Sequence, residues 1–191
     1  MLYIVNERKT SIDDFPRPGS AVYGFLFAEK EEKKKTLKQW KRLNKYFTIP
    51  LYRSGILPLF GGGKIFLLLF TKGRKTGKQR ITPIEYRSKD DIIHVVSARG
   101  KPAHWFKNLV AHPEQAKIKV GFKKYAVNFE IIQTIEEKNA LFKWYVTRFP
   151  KAAKMLFGWN SKKDIVEKAD FTTFSELVEV VKFLPKQYFE A

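Results

Sequence analysis

Five strand-like segments joined by short connections are the feature of this sequence that most limits its fold. They are rich in β-branched and aromatic residues, and the second alternates in the manner of a strand with one face toward a core. Polar residues Ser88 to Asp91 and the pair Gly121 and Phe122 predict tight turns. Strands joined by such turns are antiparallel, so the sequence predicts a meander and excludes a parallel Rossmann unit. The segments are Ile65–Thr71, Gln79–Arg87, Ile92–Ala98, Ala116–Val120 and Lys124–Gln133.

Helices and a sixth strand complete the predicted fold. Pro102 suits a first helical turn and His112 with Pro113 a stop, which predicts a helix over 102–111. Further segments follow: helices over 136–149 and 151–157, and a last strand over 177–184. Closing six antiparallel strands into a small barrel removes exposed edges. The predicted fold class is therefore mainly β with helices, a closed or split six-stranded antiparallel β-barrel.

The N-terminal part of the chain is predicted to be a helical extension of this barrel. Residues 1–30 show no sustained period, which indicates a loosely organised segment. Over 31–47, Leu37, Trp40 and Phe47 recur at helical spacing among many lysines, which predicts an amphipathic basic helix. Such a helix either packs on the barrel surface or lies on an acidic membrane surface. The predicted domains are thus the extension, 1–42, and the barrel, 43–191.

The charge of the chain indicates an anionic partner. Lys and Arg number 37 against 19 Asp and Glu, which gives a formal net charge of +18. Nucleic acid, an acidic lipid surface and a polyanionic small molecule all remain open as partners. Part of the excess is also typical of lysines on solvated faces.

The absence of cysteine excludes disulfides, thiolate metal sites and a cysteine nucleophile. It also favours a reducing compartment, so we expect a cytoplasmic protein, with association to the cytoplasmic face of a membrane as the alternative. No export signal is expected, because the apolar stretch near the N-terminus is short. The longest apolar run, Ile65–Phe70, is far below the roughly 20 residues of a membrane-spanning helix.

Side-chain machinery for hydrolysis or metal catalysis is not predicted. The three histidines fit no H-E-x-x-H pattern, so no metal site is expected. Neither Ser54 nor Ser97 lies in a G-x-S-x-G elbow. No catalytic side chain is assigned, and the pattern favours chemistry carried by a bound cofactor.

The densest cluster of cations lies between the first two predicted strands. Five cations occur over residues 72–80, which we call the basic turn, and no acid follows before Glu85. Gly73 and Gly77 allow tight backbone conformations whose N–H groups can converge on an anion. Lys75 and Arg80 can grip a phosphate from two sides. A solvated hairpin tip and a nucleic-acid contact remain the alternatives.

A second candidate region follows the third predicted strand. Ser97, Ala98, Arg99 and Gly100, which we call the Ser97 turn, lead through Pro102 into a helix N-terminus. Such a turn can hold an anion or hydrogen-bond a planar heterocycle. In the helix that follows, core packing is the alternative role for Trp105 and Phe106, and bracing of a loop for Asn108.

These residues resemble a known family. The segment GRKTGKQRITP, residues 73–83, and the run W-F-K-N-L-x-x-H-P-E, residues 105–114, are similar to the deazaflavin-dependent nitroreductases. That family belongs to the flavin and deazaflavin oxidoreductases and includes quinone and nitroimidazole reductases. The similarity covers roughly residues 43–184.

The resemblance implies an FMN-binding split barrel-like fold and coenzyme F420, a deazaflavin with a phosphodiester and a polyglutamate tail. Lys75 and Arg80 would hold the phosphate, with surrounding lysines steering the tail. The residues implied to line the phosphate approach are Arg74, Thr76, Thr82 and Pro83. Those implied to border or approach the ring are Ser97, Ala98, Arg99, Gly100, Trp105 and Asn108.

The implied reaction is hydride transfer from reduced F420 to a small-molecule electron acceptor of quinone, enone or nitro type. The resemblance places a substrate pocket at Phe149, Met155 and Trp159, where relatives that reduce nitroimidazoles carry tyrosines; this indicates a more apolar pocket. FMN is the alternative cofactor, and a basic nucleic-acid-binding barrel the less favoured alternative function. The oligomeric state is not predicted.

Overall fold

The computed structural model describes residues 13–185, which form two compact units. The barrel unit comprises Ala28–Ile132 and the chain from Val178, and the helical unit comprises the chain up to Phe27 together with Gln133–Leu177. The predicted division at residue 42 stays a prediction, and its residues 1–12 lie outside the described part of the chain.

Six antiparallel strands close the barrel in the order β1-β2-β3-β6-β5-β4. Thr71 of β1 pairs with Arg80 of β2, and Ser97 of β3 pairs with Glu179 of β6. Because every strand has two neighbours, no strand edge is left open. The predicted six-stranded antiparallel barrel is confirmed. The strands are β1 Phe66–Lys72, β2 Gln79–Lys89, β3 Ile92–Ser97, β4 Lys117–Val120, β5 Lys123–Ile132 and β6 Glu179–Pro185.

Strand alternation separates the barrel interior from its outer face. Leu67 and Leu69 belong to the interior core, whereas Leu68 and Phe70 pack with Tyr52 in a second cluster. Successive strand residues point to opposite sides, so both faces of β1 are covered. This accounts for the uninterrupted apolar run of the first predicted strand.

Eight α-helices occur in the described residues, four of them short helices that the sequence analysis did not predict. The helices in the barrel unit are α2 Lys30–Leu43, α3 Ile49–Arg53, α4 Ile56–Leu59 and α5 His104–Ala111. Those of the helical unit are α1 Ala21–Phe27, α6 Ile135–Arg148, α7 Pro150–Phe157 and α8 Thr172–Leu177. The unpredicted α1, α3, α4 and α8 have seven residues or fewer, too few to show a helical period.

The helical unit is built around aromatic side chains and includes residues predicted to be loosely organised. Phe15 is 3% exposed, and its ring lies 5.2 Å from Phe171 and 5.3 Å from Trp159. Arg17 forms a two-pronged ion pair with Asp164 at 2.8 and 2.9 Å. The expectation of a loosely organised segment is wrong for the described residues before α2, because their partners lie more than a hundred positions away.

The predicted basic helix is present as α2, which ends at Leu43 and continues into a π-helical turn, Asn44–Thr48. None of the α2 side chains is buried, and Trp40 is 47% exposed. Among residues 13–185, no helix is both long and apolar enough to cross a membrane.

Candidate functional site

The basic turn is a tight hairpin between β1 and β2. The Gly73 N–H donates to the Lys78 carbonyl at 2.9 Å, and the Gly77 N–H donates to the Gly73 carbonyl at 2.7 Å. Gly77 has φ +65°, a left-handed conformation that favours glycine. These hydrogen bonds leave Lys75 and Thr76 exposed at the tip.

Gly73 lets the side chains of the turn approach closely. A Cβ at this position would lie 3.1 Å from the Thr76 Oγ1 and 3.3 Å from the Arg80 Nε. The Arg80 Nη2 donates to the Thr76 Oγ1 at 3.3 Å, across the turn. Glycine therefore gives Arg80 room to lie over the turn, and no acid lies nearby in the sequence.

Asn108 braces the basic turn from helix α5. Its side chain is only 7% exposed, and its Oδ1 accepts from the Arg74 backbone N–H at 3.3 Å and from the Arg74 Nη1 at 3.2 Å. Helix α5 is fixed in turn by Phe106 and Leu109, which belong to the barrel core. Of the two roles considered for Asn108, loop bracing describes this contact, and a contact with a ring stays a prediction.

Replacing Asn108 by leucine, which has a similar volume, is expected to lower the free energy of unfolding by about 1–3 kcal/mol, because Arg74 loses a buried acceptor. The Arg74 amide should also exchange faster with solvent. Urea unfolding and hydrogen exchange measure the two effects, with exposed Gln115→Leu as the control. Unchanged protection of the Arg74 amide would show that the brace contributes nothing.

The interior face of the barrel becomes polar where β1 ends and β2 begins. Thr71 follows Leu67 and Leu69 on this face, opposite Arg80, while Thr82 lies opposite Leu69. Thr71 is 2% exposed, and its Oγ1 has no hydrogen-bond partner among the described residues. A buried hydroxyl of this kind is costly unless a ligand or water completes it. Thr71 could not be found from the sequence, because a threonine in an apolar strand gives no signal of its own.

The Ser97 turn is held by its own hydrogen bonds. Ser97 is 1% exposed and its Oγ donates to the Gly100 carbonyl at 2.9 Å, while the Gly100 N–H donates to the Ser97 carbonyl at 2.7 Å. Gly100 has φ +58°, and its carbonyl also accepts from the Ala103 N–H that precedes α5. Ala98 and Arg99 are half-buried at the tip. The Ser97 hydroxyl proton is therefore used within the turn, and a ligand would meet backbone groups and Arg99.

The pKa of His104 is influenced by positive charges in both turns. Partial burial lowers the pKa of His104, and the positive charges of Arg74, Lys41, Arg99 and Lys107 lower it further. Arg74 belongs to the basic turn and Arg99 to the Ser97 turn, so cations of both turns lower the pKa of the same imidazole. His104, Lys41 and Lys107 were not among the predicted site residues, although they lie in the basic helix and in the run after Pro102.

The structure also places Trp105, which was assigned near the ring, its neighbour Phe106, and Pro83 of the implied phosphate approach. Trp105 is half-buried, with its ring 5.9 Å from that of Phe106 in an edge-on arrangement. Phe106 is 7% exposed and belongs to the barrel core, as its alternative role predicted. Pro83 lies opposite Leu68, one position along from the inward-facing Thr82.

The residues predicted to line a substrate pocket all belong to the helical unit. Trp159 is 4% exposed, whereas Met155 on α7 is 64% exposed. Phe149 is half-buried and contacts the ring of Tyr145 at 5.4 Å. The structure thus places these side chains in different environments, and their participation in one pocket stays a prediction. Within the described ranges, no three His, Asp or Glu side chains converge as metal ligands would.

Comparison with known proteins places this arrangement in a family. The family model described as F420H(2)-dependent quinone reductase matches residues 55–157, more than half of the chain and the part that contains both turns. The chain belongs to this family. The resemblance inferred from the two motifs is therefore confirmed, and F420 rather than FMN is the cofactor that the family name implies.

Members of the F420H(2)-dependent quinone reductase family match only part of the chain. A curated member from Mycobacterium tuberculosis strain H37Rv is 34% identical over 70 residues, which cover 35% of this chain and 46% of that protein. The chain thus spans about half the length of the curated relatives it matches.

Solved structures give more distant similarities. An F420-H2 dependent reductase, FDR-A, has a TM-score of 0.42 at 23% identity over 63% of this chain and 95% of that one. A structure described as a domain-swapped dimer has a TM-score of 0.42 at 21% identity over 72% and 99%.

Proposed function

We propose that this protein binds reduced coenzyme F420 at the basic turn and reduces a quinone by two electrons. The observation that carries the proposal is the braced, acid-free turn that presents Lys75 and Arg80, within a chain of the F420H(2)-dependent quinone reductase family. Nucleic acid is less suited to this site. The Arg74 side chain is already hydrogen-bonded to Asn108, and the cations are confined to one short turn.

The residues of the site fit the anionic part of such a cofactor. Lys75 and Arg80 supply charge-assisted donors to a phosphate, Arg80 with two parallel N–H groups. Thr71 adds a buried hydroxyl that has no hydrogen-bond partner among the described residues, on the interior face opposite Arg80. Thr76 is positioned by the Arg80 guanidinium and can offer its hydroxyl to the same phosphate.

The Ser97 turn is proposed to border the ring. The bound deazaflavin supplies the two-electron chemistry, so the chain needs to orient the ring and to stabilise charge. Arg99 and the backbone of Ala98 lie at the turn tip and can hydrogen-bond the polar edge of a heterocycle, while the backbone groups of Gly100 close the turn beside them. The cations around His104 favour negative charge that develops there during reduction.

A quinone is the proposed acceptor class, with enones and activated nitro compounds as further candidates. The description of the matched family names a quinone, which supports this choice. Cysteine is absent from all 191 residues, which supports action in the reducing environment of the cytoplasm.

Fluorescence titration with F420 and, separately, with FMN tests the proposal. We expect quenching of F420 fluorescence at micromolar concentration or below, weaker binding of FMN, and oxidation of reduced F420 when a soluble quinone is added. Binding should also raise the lowered pKa of His104, because a bound anion offsets the surrounding cations. Histidine NMR titration provides this readout independently of turnover.

Two outcomes would contradict the proposal. Tight binding of FMN without any F420 binding would assign the site to another flavin. Binding of F420 without oxidation by any quinone, enone or nitro compound would leave a cofactor carrier and reject the reductase activity.

A further inference from the structure

Large apolar side chains are exposed along one continuous stretch of the sequence in the barrel unit. Nine of the fourteen exposed large apolar side chains among the described residues lie between positions 40 and 65, and Leu59 and Phe60 are 72% and 82% exposed. Exposed apolar surface of this extent indicates an interaction site. The nine are Trp40, Leu43, Tyr46, Phe47, Leu51, Ile56, Leu59, Phe60 and Ile65.

This segment is held on the barrel by its opposite side. Tyr52 is fully buried against Leu68 and Phe70, and the partly buried Ile49 and Leu57 pack on the same cluster. The Tyr52 hydroxyl is bonded to backbone groups of β1, β4 and the turn after β4. The exposed side chains of α3 and α4 are therefore presented by anchored helices.

The turn between β4 and β5 extends the same surface. A Cβ on Gly55 would lie 3.0 Å from Cε1 of Phe122, so the Phe122 ring lies directly against α3–α4. Phe122 is itself 67% exposed. We call the nine side chains and Phe122, with the cations among them, the apolar–basic face.

The charges of the apolar–basic face have one sign. Residues 33–65 contain nine Lys and Arg and no Asp or Glu, and the next acid in the chain is Glu85. Pairing this face with a second copy of itself would bring like charges together at short range, which costs free energy. Nucleic acid would satisfy the charge but would leave aliphatic side chains such as Leu59 without a partner. A bilayer with acidic headgroups satisfies both the cations and the apolar side chains.

We propose that the apolar–basic face docks the barrel on the surface of a membrane that contains anionic lipids. Trp40, Phe47, Leu59 and Phe60 enter the boundary between headgroups and acyl chains, while the cations pair with lipid phosphates. The surface is larger than the helix over 31–47 that the sequence suggested, because α3, α4 and the turn at Phe122 contribute. Docking rests on this surface alone, and its test does not depend on the proposed reaction.

Vesicle sedimentation tests the docking with the full chain and no cofactor. We expect binding to phosphatidylcholine vesicles that contain phosphatidylglycerol and much weaker binding to phosphatidylcholine alone. Bromine on the acyl chains should quench Trp40 fluorescence, and Trp40→Phe should lose most of that quenching while still sedimenting. This readout separates insertion from purely electrostatic adsorption.

Substitutions on and off the face provide matched controls. The pair Leu59→Ser and Phe60→Ser is expected to weaken vesicle binding by about tenfold or more, because apolar area no longer leaves water. Ile165→Ser, at 51% exposure in the helical unit, should have no effect. Charge reversal at Arg42 and Lys45 should also weaken binding.

The control for charge reversal at Arg42 and Lys45 is the pair Lys162→Glu and Lys163→Glu. Both lysines are exposed in the helical unit, and their reversal changes the net charge by the same amount. Equal binding by wild type and the Leu59, Phe60 variant would overturn the proposal. An equal loss of vesicle binding in both charge-reversed pairs would also overturn it. The same holds if the wild type binds no vesicles but forms a dimer in analytical ultracentrifugation that the Leu59 and Phe60 substitutions abolish.

Discussion

Replacing Lys75 and Arg80 together by alanine is expected to weaken F420 binding by more than about a hundredfold. Hydrogen bonds to charged groups contribute about 1.5–3 kcal/mol each, and 1.4 kcal/mol corresponds to about tenfold in affinity. Both side chains are exposed on the basic turn, so neither substitution removes core packing. Fluorescence titration measures the affinity, and urea unfolding checks that stability is retained.

The control for this pair is Lys162→Ala with Lys163→Ala, which removes the same charge from an exposed part of the helical unit. It should change F420 affinity by less than about threefold, because salt screens the effect of a change in net charge alone. If both pairs lower the affinity equally, the attraction is nonspecific. Unchanged affinity in the Lys75, Arg80 pair would mean that the phosphate lies elsewhere.

Replacing Tyr52 by phenylalanine is expected to lower the free energy of unfolding by about 1–3 kcal/mol. The Tyr52 hydroxyl accepts from the Gly121 N–H at 2.8 Å and can donate to the carbonyls of Phe66 at 2.9 Å and Lys119 at 3.2 Å. Phenylalanine keeps the packing and leaves these backbone groups without that partner. Urea unfolding measures the loss, and Tyr46→Phe, at 60% exposure, is the control.

The Tyr52 effect should depend on pH in a defined direction. Burial raises the pKa of Tyr52, a hydrogen bond from Gly121 opposes this, and Tyr86 adds to it. The native state holds the Tyr52 proton more tightly than the unfolded state. The stabilisation is therefore complete below the unfolded-state pKa of about 10, and it is lost as the pH rises through the pKa of Tyr52 in the native state. The difference between wild type and Tyr52→Phe should therefore shrink at alkaline pH. A constant or growing difference would contradict this assignment.

Much of the candidate cofactor site was predictable because its signals are local. The cations and glycines of the basic turn occupy consecutive positions, and strand alternation on either side shows that they form a hairpin. The Ser97 turn is likewise one strand end, one glycine and one helix start. Such patterns depend on residues a few positions apart, whose relative placement the backbone period fixes.

The contacts that organise the site were not predictable in the same way. Asn108 contacts Arg74 across 34 positions, and the Thr71 hydroxyl is buried, with no hydrogen-bond partner within residues 13–185, only because the barrel closes around it. The pKa of His104 is lowered by the charge of Lys41, which lies on a helix far away in sequence. Each of these relations needs the three-dimensional path of the chain between the partners.

The sequence by itself thus determined that this protein is an antiparallel barrel with a cationic hairpin between its first two strands, and its motifs identified the family. Only the tertiary structure decided which side of the segment between α2 and β1 is buried with Tyr52 and which is exposed with Phe60. The segment is apolar on both sides, so periodicity could not separate them. Burial depends on which surface the folded barrel offers, and that surface is assembled from strands distant in sequence.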